Sequence, residues 1–186
     1  METYDIPVDF MADAGRATVQ VYMGEGQGKT MAALGLAIRS AGHGYRSVIV
    51  QFMKGRRDTG EYRIAKRLGP EYEIHQFGGE EFMDLNDPAP EDFEMAARGL
   101  DFAREVLAER PKLLILDELG LAASVGLVEV SDVMEVIESA SPETVLVITG
   151  RRVPEEIVSA GDLVTEMIEV KHPLRSGVGA RKGLEY

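Results

Sequence analysis

The sequence predicts a doubly wound α/β domain, a mainly parallel sheet of about six strands with helices on both faces. Three observations predict it. Apolar runs rich in β-branched residues alternate with helical patterns along the chain. Two of these runs, Leu113-Leu114-Ile115-Leu116 and Val145-Leu146-Val147-Ile148, are unbroken, as a strand covered on both faces must be. Finally, one strand–helix junction carries Gly24-Glu25-Gly26-Gln27-Gly28-Lys29-Thr30, a glycine-rich turn with a lysine at its end.

In chain order, Thr18 to Met23 reads as the first strand and leads into that turn. A helix follows from Thr30 to Ala41, ended by Gly42 and Gly44. Ser47 to Phe52 is a second strand, and a short helical stretch from Tyr62 to Leu68 precedes a weaker third strand from Tyr72 to Phe77. From Glu91 to Glu109 the residues Phe93, Ala96, Ala97, Leu100, Ala103 and Leu107 keep the spacing of a buried helical stripe, which Pro111 ends. Beyond the strand at Leu113–Leu116, Ser131 caps a helix reaching Ser139. After Val145–Ile148 a last strand is expected from Leu163 to Val170.

Composition narrows the function. A length of 186 residues fits one domain, and 45% hydrophobic with 28% charged residues excludes disordered, collagen-like and coiled-coil chains. There is no cysteine, which removes disulfides, thiolate nucleophiles and Cys-ligated zinc and suits a reducing compartment. A net charge of −12, with basic residues in nothing longer than pairs such as Arg56-Arg57 and Arg151-Arg152, repels nucleic acid and anionic lipid. No apolar run approaches the ~20 residues of a membrane span. Met1 to Ala14 is acidic and lacks the parts of a signal peptide, so the expectation is a soluble cytoplasmic protein. Residues 1–17 are set apart as a flexible N-terminal segment, a tail or a lid, and residues 18–186 form the single domain.

The turn from Gly24 to Thr30 has the context that a phosphate-binding loop needs. Its glycines let the backbone wrap phosphate oxygens with N–H groups turned inward, and the following helix N-terminus adds partial positive charge. Lys29 supplies a full charge, and the Thr30 hydroxyl can ligate Mg²⁺. Met23 stands where the usual pattern has its first glycine, so the bland alternative is a glycine-rich turn with an incidental lysine. Asp117-Glu118, leaving a buried strand, favours the functional reading, because Mg²⁺ takes a few carboxylates together with phosphate oxygens. These residues imply a nucleoside triphosphate and Mg²⁺ but leave ATPase, GTPase and kinase chemistry open.

Read with their surroundings, the blocks become specific. Gly24 to Arg39, Ala41-Gly42-His43-Gly44 and Val50-Gln51-Phe52-Met53-Lys54-Gly55 resemble the P-loop corrinoid adenosyltransferases. So do Leu116-Asp117-Glu118, Thr149-Gly150-Arg151, Ala160 to Met167, Lys171-His172-Pro173, and Gly177-Val178 through Lys182 to Tyr186. The resemblance implies a RecA-like P-loop fold and a cytoplasmic homodimeric transferase of cobalamin biosynthesis or salvage. It further implies that ATP, with Mg²⁺ or Mn²⁺, gives its 5′-deoxyadenosyl group to Co(I) of a reduced corrinoid (cob(I)alamin, cobinamide or cobyrinic acid a,c-diamide) and releases triphosphate. A flavoprotein or flavodoxin would be the reductant. By this resemblance Gly24, Glu25, Gly26, Gln27, Gly28, Lys29 and Thr30 cradle the triphosphate, and Arg39 matches a position near the nucleotide, its alternative being a solvated helix arginine; Arg151, following a core strand at the sheet's carboxyl edge, is read as a phosphate contact or else a surface ion pair. Lys29, Thr30 and Glu118 serve catalysis, Thr30, Asp117 and Glu118 the metal, and Phe82 and Met83 the corrinoid.

The chain departs from the family pattern in having no tryptophan where a Phe-x-Trp element is usual; Phe77 to Met83 stands there instead. Gln27 and Met31 replace a common lysine and threonine, and Leu119 to Ala123 lacks polar and aromatic residues often found there. Two alternatives therefore stay open: a P-loop ATPase or kinase with a non-corrinoid acceptor, and a non-catalytic ATP- or corrinoid-binding regulator. His43 reads as a turn residue, His75 carries no signal, and Phe82, Met83, Phe93 and Met95 read as mostly core.

Overall fold

A computed structural model describes residues 15–81 and 83–184. Its elements run β1 (Thr18–Met23), α1 (Lys29–Ala41), β2 (Ser47–Phe52), α2 (Gly60–Leu68), β3 (Tyr72–Phe77), α3 (Pro90–Ala108), β4 (Leu113–Asp117), α4 (Leu119–Ser124), α5 (Val130–Ser139), β5 (Val145–Gly150), α6 (Glu155–Ser159) and β6 (Leu163–Glu166), then a 3₁₀ turn at Pro173–Ser176. The strands form one six-stranded parallel sheet in the order β3-β2-β4-β5-β1-β6.

Strand alternation divides the core between the two faces of this sheet. Val48, Val50, Leu114, Leu116, Leu146 and Ile148 pack with α3, α4, α5 and α6. On the other face Ile49, Leu113, Ile115 and Val147 meet Ala33, Leu34 and Ala37 of α1, with α2 behind. Both faces of the central strands are buried, which is why β2 and β4 read as continuous apolar runs.

Several expectations need correction. The last strand stops at Glu166, not Val170, because β6 pairs only with β1 and its final partner is Met23. Just past it the Met167 N–H still donates to the Met23 carbonyl at 2.8 Å, and the Met167 carbonyl then turns to the glycine loop. In α3 the buried stripe starts at Ala96, one turn late; Phe93 is 43% exposed and Ala97 lies off the stripe on the open side. Glu129 occupies the N-cap of α5, so Ser131 lies inside that helix and caps nothing. The ordered fold also begins before residue 18: Ala17 is buried and Arg16 bonds the Asp162 carboxylate. Residues 1–14 lie outside the described part.

α4 was unforeseen. It is buried along Leu119, Gly120, Leu121, Ala122 and Ala123, and a Cβ on Gly150 would stand 2.5 Å from the Leu121 nitrogen. The absence of polar residues after Glu118 thus has a packing cause. Lys171-His172-Pro173 gains a local one: the His172 imidazole accepts the Leu174 N–H at 3.2 Å, capping the 3₁₀ turn that Pro173 begins.

Candidate active site

The carboxyl ends of β1, β2, β4 and β5 face one crevice, where ligands gather on open α/β sheets. β1 ends at Met23, whose side chain packs in the main core, a contact that glycine would forfeit. The next glycines are needed. A Cβ on Gly24 or Gly26 would lie 2.6 Å from the Met167 carbonyl oxygen, and Gly24 and Gly28 take positive φ of 100° and 121°. The Gly26 N–H donates to that Met167 oxygen at 2.7 Å, and the Gly24 N–H donates to the Arg151 carbonyl at 3.1 Å. The chain just past β6 is therefore the seat of the loop, which gives the Ala160–Met167 block a structural role.

Lys29 opens α1 and is 7% exposed; its ammonium donates back to the Gly24 and Gly26 carbonyls at 2.6 and 2.8 Å. Burial lowers its pKa, a shift the nearby Glu118 carboxylate opposes. One residue on, the Thr30 hydroxyl donates to Asp117 Oδ1 at 2.9 Å.

Asp117 ends β4 and is fully buried. Thr149 of β5 donates to the same Oδ1 at 2.8 Å. Gln51 of β2, its register partner, and Lys54 donate to Oδ2 at 3.0 and 2.7 Å. Burial alone would raise its pKa. The Lys54 charge and the donated hydrogen bonds outweigh burial and hold the carboxyl below its ordinary value. The same pairing raises the Lys54 pKa against the effect of burial, with Glu118 helping.

Glu118 contrasts with its neighbour. Its backbone is left-handed, φ 65°, and its N–H donates to Thr149 Oγ1 at 2.9 Å. Oε2 of its carboxylate is buried with no hydrogen-bond partner. Burial raises its pKa; Lys54 offsets part of the shift and Asp117 adds to it. A left-handed non-glycine residue and an orphaned carboxylate oxygen are costly features, and both concentrate at functional sites.

Of the residues expected here, Gly24 to Thr30, Asp117, Glu118 and Arg151 come together. Arg151 lies near Glu25 at 3.9 Å, both largely exposed. Arg39 does not join them. It occupies the last turn of α1, about 15 Å along the helix axis from Lys29, and is exposed. Met83 is half-buried against the main core, and Phe82 lies outside the described residues. Gln51, Lys54 and Thr149 were given no role from the sequence, though each is a polar residue at or just beyond the end of an apolar strand.

A strand, a glycine loop and a helix beginning Lys-Thr, faced across β5 by an acid pair ending a core strand, define the P-loop class of α/β proteins. Within that class the chain belongs to the family of ATP:corrinoid adenosyltransferases BtuR/CobO/CobP, whose profile matches residues 15–186. It is 34% identical over 174 residues to a corrinoid adenosyltransferase of Sinorhizobium sp., covering 92% of this chain and 81% of that one. A corrinoid adenosyltransferase of Pseudomonas aeruginosa is also 34% identical, over 92% of this chain and 84% of its own. Corrinoid adenosyltransferase CobA of Salmonella typhimurium is 30% identical, over 94% and 88%.

Proposed function

We propose that this protein transfers the 5′-deoxyadenosyl group of ATP to the Co(I) centre of a reduced corrinoid and releases inorganic triphosphate. The observation that carries the reading is the convergence of Lys29, Thr30, Asp117 and Glu118 at one sheet edge, in a chain matched by the family profile over residues 15–186. The substrate cobalt is the nucleophile at the ribose C5′ carbon, so the protein needs none of its own. What it must supply is fixed positive charge and N–H donors for the departing triphosphate. Lys29 and the loop amides beyond Gly26 would serve that, with Lys29 exchanging its carbonyl partners for phosphate oxygens and the Gly24 and Gly26 amides held by backbone carbonyls.

A divalent cation fits the residues present. The orphaned Glu118 oxygen and the Thr30 hydroxyl are hard oxygen donors on the phosphate side of the crevice, as Mg²⁺ or Mn²⁺ prefers. Bound there, the ion would neutralise charge on the triphosphate. Asp117, already accepting from Thr30, Thr149, Gln51 and Lys54, orients the donors around it.

A homodimer belongs to the same reading, supported by the apolar side chains of Leu163 and Val164, which β6 leaves exposed. Among the described residues no helix is long and apolar enough to cross a membrane.

The test is product identity with ATP, Mg²⁺ and a chemically reduced corrinoid. Corrinoid-dependent triphosphate and a light-sensitive Co–C product are expected. ADP and phosphate released without corrinoid would overturn the reading in favour of an ATPase.

A further inference from the structure

Lys54 is a built feature of the site that the triphosphate reading does not use. Its ammonium donates to Thr30 Oγ1 at 3.2 Å and to Asp117 Oδ2 at 2.7 Å, so a second cation rests on the residue that follows Lys29. The side chain keeps 32% of its surface exposed, while its ammonium rests on the fully buried Asp117 carboxylate.

The backbone beneath it is fixed with unusual strictness. Met53 takes a left-handed φ of 57°, and its N–H donates to the Phe77 carbonyl at 2.9 Å. A Cβ on Gly55 would stand 2.2 Å from the Gly78 oxygen, and one on Gly78 would stand 2.3 Å from the Lys54 nitrogen. The segments after β2 and β3 therefore cross with room for glycine only, and this crossing aims Lys54 at the start of α1.

A salt bridge serving stability alone needs neither a strained residue nor a glycine-only crossing, and breaks even at best against apolar packing. We propose that Lys54 is a second triphosphate-binding cation, delivering its charge from the β2 side while Lys29 delivers its own from the loop. The proposal rests on the reading that the loop takes the triphosphate of ATP. Both lysines hold protein oxygens that phosphate oxygens would replace: Lys29 the loop carbonyls, and Lys54 the Asp117–Thr30 pair.

Calorimetric titration of the full chain with inorganic tripolyphosphate, MgATP and adenosine tests this without any turnover. Lys54→Met should weaken tripolyphosphate and MgATP about 10- to 100-fold, the worth of a charge-assisted contact, and leave adenosine unchanged. Lys54→Arg should recover most of the loss. If Lys54→Met fails to fold with Asp117 unpaired, Lys54→Met/Asp117→Asn is compared with Asp117→Asn alone, and the extra loss of tripolyphosphate affinity is the Lys54 share. Variants that bind tripolyphosphate as tightly as their references, while melting at lower temperature, would make Lys54 a counter-ion of Asp117 only and overturn the proposal. Should the unmodified protein bind neither tripolyphosphate nor MgATP, the triphosphate reading itself fails and the proposal goes with it.

Discussion

Asp117 and Val170 mark two extremes of this molecule. The first is 0% exposed and accepts hydrogen bonds from α1, β2, β5 and Lys54; the second is 86% exposed, beyond the end of an edge strand. The contrast extends to their surroundings. Around Asp117, loop, lysines and acids are held by one another through hydrogen bonds. Along the β6 flank, Leu163 and Val164 stand exposed on a short strand that pairs only with β1 among the described residues, and Ile168 and Leu174 stand exposed beyond its end. A single-stranded border with apolar side chains is surface that another surface would cover.

The sharpest test of that contrast is Lys29→Ala. Turnover of reduced corrinoid, followed as triphosphate release, should fall by about 10²-fold or more, as when one transition-state donor is removed. Unfolding in urea should change little, because the bonds lost join a side chain to its own loop.

Gly26→Ala probes the seat of the loop. The added methyl meets the Met167 carbonyl at 2.6 Å, so the loop must lift or residues 167–168 must shift. A stability loss of about 1–3 kcal/mol is expected in urea, with most of the turnover lost as well.

Glu118→Gln separates function from stability. Removing a buried, unpartnered charge should stabilise the protein by about 1 kcal/mol at neutral pH while turnover and metal affinity fall. The pH dependence has a definite sign. With the Glu118 pKa raised by burial, the folded protein holds a proton that the unfolded chain has shed. Its contribution to stability is therefore lost as pH rises from the ordinary value of 4.5 through the raised folded value, and Glu118→Gln should abolish that slope. Asp117 runs the other way: its contribution is present above 3.8 and lost as pH falls through the depressed folded pKa. Urea midpoints measured across the acid range would resolve both.

The smallest effect belongs to the flank. Val164→Lys, at an exposed edge position, should leave the stability of a single copy within about 0.5 kcal/mol. Light scattering should nevertheless show a dimer, if one forms through β6, shifting toward single copies.

Much of the fold was legible because its signals are local. The apolar runs of β2, β4 and β5, the helical spacing of α1 and the glycine loop each declare themselves within a few residues. What misled was the end of an element whose limit is set by a partner elsewhere. β6 stops where β1 does, and the α3 stripe starts where the helix reaches the sheet; neither limit is written in the residues of the element itself. α4 escaped notice because a short helix buried all round has no amphipathic period to read.

By itself the sequence determined the parallel α/β class, the glycine loop with Lys29 and Thr30, and the acid pair at the end of β4. Tertiary structure alone decided that Gln51, Lys54 and Thr149 meet on Asp117, that Met167 leaves room only for glycine at 24 and 26, and that Arg39 stays away. The reason lies in strand order. Local patterns fix what each strand is, but only the arrangement β2-β4-β5-β1-β6 brings residues 51, 54, 117, 149 and 167 to one edge, and no local period encodes which strand lies beside which.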